Sequence, residues 1–203
     1  MRWDNLFDDL ESQLDAEQGA AQRDRERARE RQRVFALSRD ERIRTLLQSI
    51  DEVSCVIDGA DCVLVVESYG KDWFAAEFKQ PMIHRGLAVI PFAAVDSVSM
   101  SPNQARDTVM SAGESTPDEP SATLSLVSRV TYRIVLRDIS RRRKLVRIYT
   151  RQGNLYGTID RVGNDFLDLA HHDERTVRWA NADSSIEMIG LESILFVLID
   201  SAR

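Results

Sequence analysis

Hydrophobic positions in the first 37 residues predict a helix with two different halves. Apolar side chains recur at spacings of three and four and form one predicted stripe of Trp3, Leu6, Phe7, Leu10 and Leu14. Residues 22–33 are almost entirely charged, with opposite charges three apart that support a helix. Two interpretations stay open: a solvated helix that holds the stripe away from the rest of the chain, or a coiled-coil or partner-docking helix.

The pattern changes at Ser38, where Ser38 and Glu41 have the spacing of a helix capping box. The apolar residues that follow predict one helical face, and after residue 51 the pattern predicts short strands separated by turns. The predicted strands are Val53–Ile57, Cys62–Glu67, Trp73–Phe78, Ala88–Phe92 and Val95–Met100. Residues 101–122 hold three of the five prolines with few large apolar side chains, which is typical of an acidic Pro/Ser linker.

The same order of elements recurs after the linker. Residues 123–138 fit a helical face, although the β-branched residues between 130 and 136 leave a strand open. Strands are predicted at Leu145–Thr150, Leu155–Asp160, Phe166–Ala170, Ser185–Ile189 and Ile194–Ile199. Aligning Gly70-x-Asp72-Trp73 with Gly163-x-Asp165-Phe166 matches apolar residues on both sides of the turn, so the sequence predicts an internal duplication.

The second copy carries a resemblance to the Sm-like superfamily of small barrels. The segment from Leu145 to Ile159 resembles the opening hairpin of that superfamily, and Met188 to Ile194 resembles its closing motif. The resemblance implies an α+β fold class, an N-terminal helix followed by two tandem helix-plus-five-strand Sm-like barrels. The implied domains are 1–37, an amphipathic then charged helix; 38–100, the first unit; 101–122, the linker; and 123–203, the second unit.

The RNA pocket of the Sm proteins does not carry over to this chain. The family's Asp, Asn and Arg positions fall here on Gly163, Leu167 or a gap, and Ile189. The opening Met1-Arg2-Trp3-Asp4-Asn5-Leu6-Phe7 and the segment from Gly157 to Phe166 are also similar to a family of uncharacterised actinobacterial proteins. Some members are labelled transcriptional regulators, but no helix pair here has the short turn and basic second helix of a helix-turn-helix.

Composition narrows the class of protein. Hydrophobic residues make up 43% and charged residues 30%, with a net charge of −6, which argues against a general nucleic-acid binder. No apolar run approaches the ~20 residues of a membrane span, and the acidic N-terminus does not fit a signal peptide. Cys55 and Cys62 are interpreted as a reduced pair, so we expect a cytoplasmic location and no membrane.

No pattern typical of catalysis, a cofactor or a metal was found, and the sequence predicts a protein that is not an enzyme. His171 and His172 are adjacent, and neighbouring residues on a strand point to opposite faces, so they do not chelate as a pair. There is no phosphate loop, nucleophile elbow or dinucleotide fingerprint.

One segment has the composition of a binding site. Nine basic residues and one acidic residue lie between Arg129 and Arg151. The candidate nucleic-acid contacts are Arg137, Arg141, Arg142, Arg143, Lys144 and Arg147. The alternative is a solvated helix end, where cations favour the helix dipole.

The leading hypothesis is therefore a non-enzymatic interaction or scaffold module. Its partner-binding residues would be those of the Trp3 stripe, its partner a protein or a second copy, and its state a homo-oligomer. The alternative is binding of RNA or single-stranded nucleic acid, with a regulatory role, through the basic segment.

Overall fold

The computed structural model describes residues 22, 24–79, 86–111, 129–171 and 185–199 of the chain. These contain four helices, of which the first is described over residues 24–36 (α1). The others are α2 (Arg39–Leu47), α3 (Pro102–Ser111) and α4 (Tyr132–Arg141).

The ten strands of the described residues are short and divide equally between two halves of the chain. The first five are β1 (Glu52–Ile57), β2 (Ala60–Tyr69), β3 (Trp73–Phe78), β4 (Leu87–Pro91) and β5 (Val95–Val98). The second five are β6 (Leu145–Thr150), β7 (Gly153–Val162), β8 (Phe166–His171), β9 (Ile186–Gly190) and β10 (Ile194–Ile199). A single 3-10 turn precedes each last strand, at Phe92–Ala94 and Leu191–Ser193.

All ten strands belong to one antiparallel open sheet, in the order β5-β1-β2-β3-β4-β10-β6-β7-β8-β9. The expectation of two tandem helix-plus-five-strand Sm-like barrels is therefore wrong. The two halves do not close separately, because β4 of the first half pairs with β10 of the second, with Val197 opposite Val89 and Ile199 opposite Leu87.

Burial explains why β4 and β10 meet at the centre of the sheet. Strand β10 is an unbroken apolar run whose residues Ile194 to Leu198 are all buried. A strand buried on both faces needs cover on each side and reads as a continuous hydrophobic run. On β10, Val197 contributes to one hydrophobic cluster and Leu198 to the other, so the strand separates two cores.

Each core draws residues from both halves of the chain. The first core lies under α2, which contributes Ile43, Leu46 and Leu47, and it includes Phe196 of β10. The second core lies under α4 and includes Trp73 of β3. The two cores are thus coupled across the β4–β10 junction.

The two halves have the same strand order and the same turn hydrogen bonds. The amide of Gly70 donates to the Trp73 carbonyl at 2.8 Å, and the amide of Gly163 donates to the Phe166 carbonyl at 2.8 Å. The register of the β2–β3 pair shifts between Val66 and Ser68, and that of β7–β8 shifts between Ile159 and Arg161. Val95 and Ile194 both follow the 3-10 turn and are 2% exposed.

The aromatic residues after the two turns begin corresponding strands but differ in burial. Trp73 is 6% exposed in the second core, and its Nε1 donates to the Val130 carbonyl at 2.9 Å. Phe166 is only half-buried. The expectation of equivalent core positions holds for the strands but not for the packing, because α4 covers the Trp73 side of the sheet.

The observed starts of α2 and α4 can be compared with the starts predicted from the sequence. The capping box of α2 is confirmed, since the Glu41 amide donates to the Ser38 hydroxyl and the Ser38 amide donates to the Glu41 carboxylate. Helix α4 begins at Tyr132, and the helix expected from residue 123 lies partly outside the described residues. The Asp72 carboxylate accepts from the Tyr132 amide at 2.7 Å, so a turn of the first half fixes the start of α4.

Residues 102–111 of the segment predicted to be a linker form helix α3. Ser101 and Gln104 exchange side-chain hydrogen bonds with each other's amides and cap this helix. The helix packs against α2, where an Arg42 Nη2 atom lies 3.3 Å from both the Ala105 carbonyl and the Thr108 hydroxyl. Composition missed the helix because so few of its residues are apolar.

Candidate functional site

The candidate partner-binding residues Trp3, Leu6, Phe7, Leu10 and Leu14 lie outside the described residues. The charged part of the same predicted helix is described as α1. Its residues 24–36 are exposed on all sides, and the expected pair of Asp24 and Arg27 is present at 3.7 Å.

Two large hydrophobic side chains stand at the end of α1. Phe35 is 94% exposed and Val34 is 48% exposed. Sequence reasoning missed them because they follow the charged run and precede Ser38, outside both apolar stripes. A signal was available, since two adjacent large apolar residues in an otherwise charged segment are unusual at a surface.

Three of the six predicted nucleic-acid contacts form ion pairs within the protein. Arg141 and Arg142 both lie 2.7 Å from the Asp138 carboxylate, and Arg143 lies 3.3 Å from that of Asp160. Desolvation acts in the opposite direction, but the hydrogen bonds from Arg141 and Arg142 hold the pKa of Asp138 below its usual value. These three arginines are therefore partly neutralised by the protein itself.

The other three basic residues lie on or beside two different elements, α4 and β6. Arg137 and Lys144 are exposed on α4 and just after it. Arg147 of β6 lies over the ring of Tyr156 of β7, with 5.3 Å from its guanidinium carbon to the ring centroid. Next to it Tyr149 stacks on Phe196 at a centroid separation of 4.3 Å. The structure thus places aromatic rings beside one of the predicted cationic residues.

A groove lies between α4 and the central strands, with a volume of about 480 Å³. Its floor includes Trp73 and Val89, and its rim includes Asp138, Arg142 and Lys144. The groove joins the basic residues at the end of α4 to the β4–β10 junction.

Two exposed apolar residues mark strand β9, at one end of the sheet. Ile186 is 62% exposed and Met188 is 71% exposed. The strand was predicted, but its exposed apolar side was not, because the pattern does not tell which strands have neighbours.

Residues with metal-binding or nucleophilic character lie at two places in the sheet. Cys55 and Cys62 are paired across β1 and β2 as free thiols, and burial raises the pKa of Cys55 to about 12. His171 ends β8 with its Nε2 atom 2.7 Å from the Glu187 carboxylate, and His172 is not described. Within the described ranges, no three His, Cys, Asp or Glu residues are grouped so that they would hold a metal ion.

No protein-family model matches the chain, and neither a curated protein nor a solved structure matches it significantly. Among the helices that the structure describes, none is both long and apolar enough to cross a membrane.

Proposed function

We propose that this protein is a non-enzymatic interaction and scaffold module that docks on a protein partner through its N-terminal helix. The observation that carries the proposal is the exposure of α1. Every residue from 24 to 36 is exposed, and Phe35, the last residue but one of the helix, is 94% exposed.

An isolated helix of this kind needs a surface to pack against. Most helical stability in proteins comes from packing an apolar face and little from propensity, and each ion pair of the Asp24–Arg27 type adds only about 0.2–0.5 kcal/mol. The Arg33 side chain reaches the Met110 sulfur of α3 at 4.0 Å, which is too weak a contact to hold α1. A partner groove that covers Phe35 and the Trp3 stripe supplies the missing packing.

Three forms of the protein test this proposal. They are the full chain, the chain without residues 1–37, and the V34D/F35D double variant. Ile134→Asp on α4 is the matched control, because Ile134 is 49% exposed and Val34 is 48% exposed. Each form is used as bait, and the recovered proteins are quantified by mass spectrometry.

We expect the truncated and double variants to lose the same proteins, which the full chain and Ile134→Asp retain. Far-UV circular dichroism checks that the sheet remains folded in every form. Equal recovery of those proteins by the chain without residues 1–37 would contradict the proposal.

A second candidate function is binding of RNA or single-stranded nucleic acid at the basic segment. It is supported by Arg147 over Tyr156, since bases stack on aromatic rings while nearby cations contact phosphates. In this version Lys144 and Arg141 to Arg143 contact phosphates.

Fluorescence anisotropy with a labelled single-stranded RNA at two salt concentrations tests this candidate. The expected affinity falls steeply with salt, and it falls further when residues 141–144 are changed to Ser. Ile134→Asn, on the same helix, serves as the control that changes an exposed residue without changing the charge of the basic segment. RNA affinity at low salt that survives the quadruple change excludes this candidate.

Origin and compartment complete the proposal. We infer an internal duplication from the matching turn hydrogen bonds of Gly70 and Gly163, and membership of the actinobacterial family from the residues quoted above. A reducing, cytoplasmic compartment is supported by Cys55 and Cys62, which face each other across two strands without a bond.

A further inference from the structure

The two outer strands of the sheet, β9 and β5, are edge strands within the part of the chain that is described. An edge strand presents unpaired backbone amides and carbonyls and is a template for pairing with another chain. Strand β9 adds two side chains that water solvates poorly, Ile186 and Met188.

The internal β4–β10 junction shows what covers such an edge. Strand β4 pairs with β3 as β9 pairs with β8: Val89 lies opposite Ala75, and Met188 lies opposite Asp168. Met188 therefore corresponds to Val89. Val89 is only 2% exposed, since β10 and α4 cover it, whereas Met188 is 71% exposed.

Strand β5 corresponds to β10 in the same way. Val98 of β5 pairs with Cys55, and Val197 of β10 pairs with Ile148 at the matching position of β6. Val197 is the residue that lies opposite Val89 in the internal junction. The two outer strands of the sheet, β9 and β5, thus correspond to β4 and β10, which pair with each other at its centre.

A groove beside β5 has apolar lining residues at the positions where the junction needs them. It lies between α2 and β5 and has a volume of about 100 Å³; its apolar lining residues are Ile43, Leu46, Val95, Val98 and Met100. The residues at the matching positions of the second half form the core that receives Val89; they are Leu136, Ile139, Ile194, Val197 and Ile199. None of the groove's lining residues belongs to α3, which packs beside the groove on its lining residue Arg42.

We propose that β9 of one copy of this protein pairs antiparallel with β5 of a second copy, in the register of the β4–β10 junction. Met188 then lies opposite Val98, and Ile186 lies opposite Met100. Because the two edges differ, the contact is head-to-tail and builds a closed ring or an open chain of copies, not a symmetric dimer.

The opposite face of these edges makes the contact weaker than the internal one. Glu187 stands where β4 has the fully buried Ala88, and Ser99 stands where β10 has the buried Leu198. Only one face of the new junction is therefore apolar, and the assembly should dissociate on dilution.

Three matched Met→Lys variants test the proposal in the full chain. Met188→Lys blocks β9, Met100→Lys blocks β5, and Met110→Lys on α3, where Met110 is 46% exposed, is the control. Sedimentation velocity over a concentration series gives the mass of each. We expect the wild type and Met110→Lys to exceed the chain mass of 23.1 kDa as concentration rises, and each edge variant to stay at 23.1 kDa.

Mixing the two edge variants separates a head-to-tail contact from other kinds of self-association. Each variant keeps one intact edge, so the equimolar mixture should form a 1:1 dimer of twice the chain mass and stop there. Three outcomes would each overturn the proposal. They are a wild type that stays monomeric throughout the series, a Met188→Lys variant whose mass rises with concentration as that of the wild type does, and a mixture that stays monomeric.

A second variant, Ser99→Glu, tests the β5 edge if Met100→Lys does not fold. Ser99→Glu changes an exposed residue of the β5 edge and places a like charge opposite Glu187 of the next copy. The proposal does not rest on α1, so the chain without residues 1–37 should assemble as the full chain does. Loss of partner binding and loss of assembly are therefore measured separately.

Discussion

Trp73 provides the sharpest test of a sheet whose two cores are shared between the halves. It belongs to the first half by sequence but is 6% exposed within the core under α4. Truncating a buried Trp to Ala typically costs about 3–5 kcal/mol. We therefore expect Trp73→Ala to lower the free energy of unfolding by that amount in a single transition, because neither half keeps its own core.

Trp73→Phe separates the hydrogen bond from the packing. The Val130 carbonyl accepts from the Trp73 indole and also from the Lys71 amide, each at 2.9 Å, so removing the indole leaves no unpaired acceptor. The lost bond is then worth about 1 kcal/mol, to which the smaller ring adds a partial cavity. Trp73→Phe should cost clearly less than Trp73→Ala.

Urea unfolding followed by far-UV circular dichroism measures both variants. Phe166→Ala is the matched control, because Phe166 begins the corresponding strand and is only half-buried; it should cost less than Trp73→Ala. A free energy unchanged within about 0.5 kcal/mol for Trp73→Ala, or two separate transitions, would refute the shared core.

Three further outcomes follow from individual contacts. The Tyr132 hydroxyl is buried without a hydrogen-bond partner within the described residues, so Tyr132→Phe should raise the free energy of unfolding by up to about 1 kcal/mol, seen as a higher Tm; a lower Tm would contradict this. Ser38→Ala should cost about 1 kcal/mol. Hydrogen bonds from the Ser38 amide and hydroxyl hold the pKa of Glu41 below its usual value, so this stabilisation is present at neutral pH and is lost as pH falls through the lowered pKa of Glu41. Ser38→Ala keeps the amide, which is the larger cause, and removes only the hydroxyl, so it should flatten the acid side of the stability profile in part; an unchanged profile would count against the hydroxyl bond. Burial raises the pKa of Cys55 to about 12 and also that of Cys62, so iodoacetamide at pH 8 should label neither thiol in the folded protein and both in urea; rapid labelling of the folded state would contradict their burial.

Local signals in the sequence predicted the ten described strands and the start of α2, because periodicity and capping act over a few residues. The capping box of Ser38 and the turn before Trp73 are examples. The pairing of β4 with β10 could not be predicted from local signals. It places Val89 opposite Val197, and no pattern within a few residues specifies which of two distant strands will be neighbours in the sheet.

Helix α3 shows a signal that was present and overlooked. Ser101, Pro102 and Gln104 have the spacing of a capping box with proline at the first helical position. The proline-rich composition of the segment outweighed this motif. The exposed side of β9 is different, since Ile186 and Met188 alternate like those of any half-buried strand, and only the sheet order shows that none of the described strands pairs with the outer edge of β9.

The proposed docking helix and the proposed edge contact reinforce each other physically. Helix α1 offers few apolar side chains near its described end, Val34 and Phe35, so one copy should bind a partner weakly. Head-to-tail assembly through β9 and β5 places several copies of α1 in one particle. Binding of a second α1 to a repeated or oligomeric partner is then intramolecular, and avidity can exceed the single-site affinity by about 10²–10⁴ without any new contact. The two proposals together therefore predict partner binding that rises steeply with the protein's own concentration.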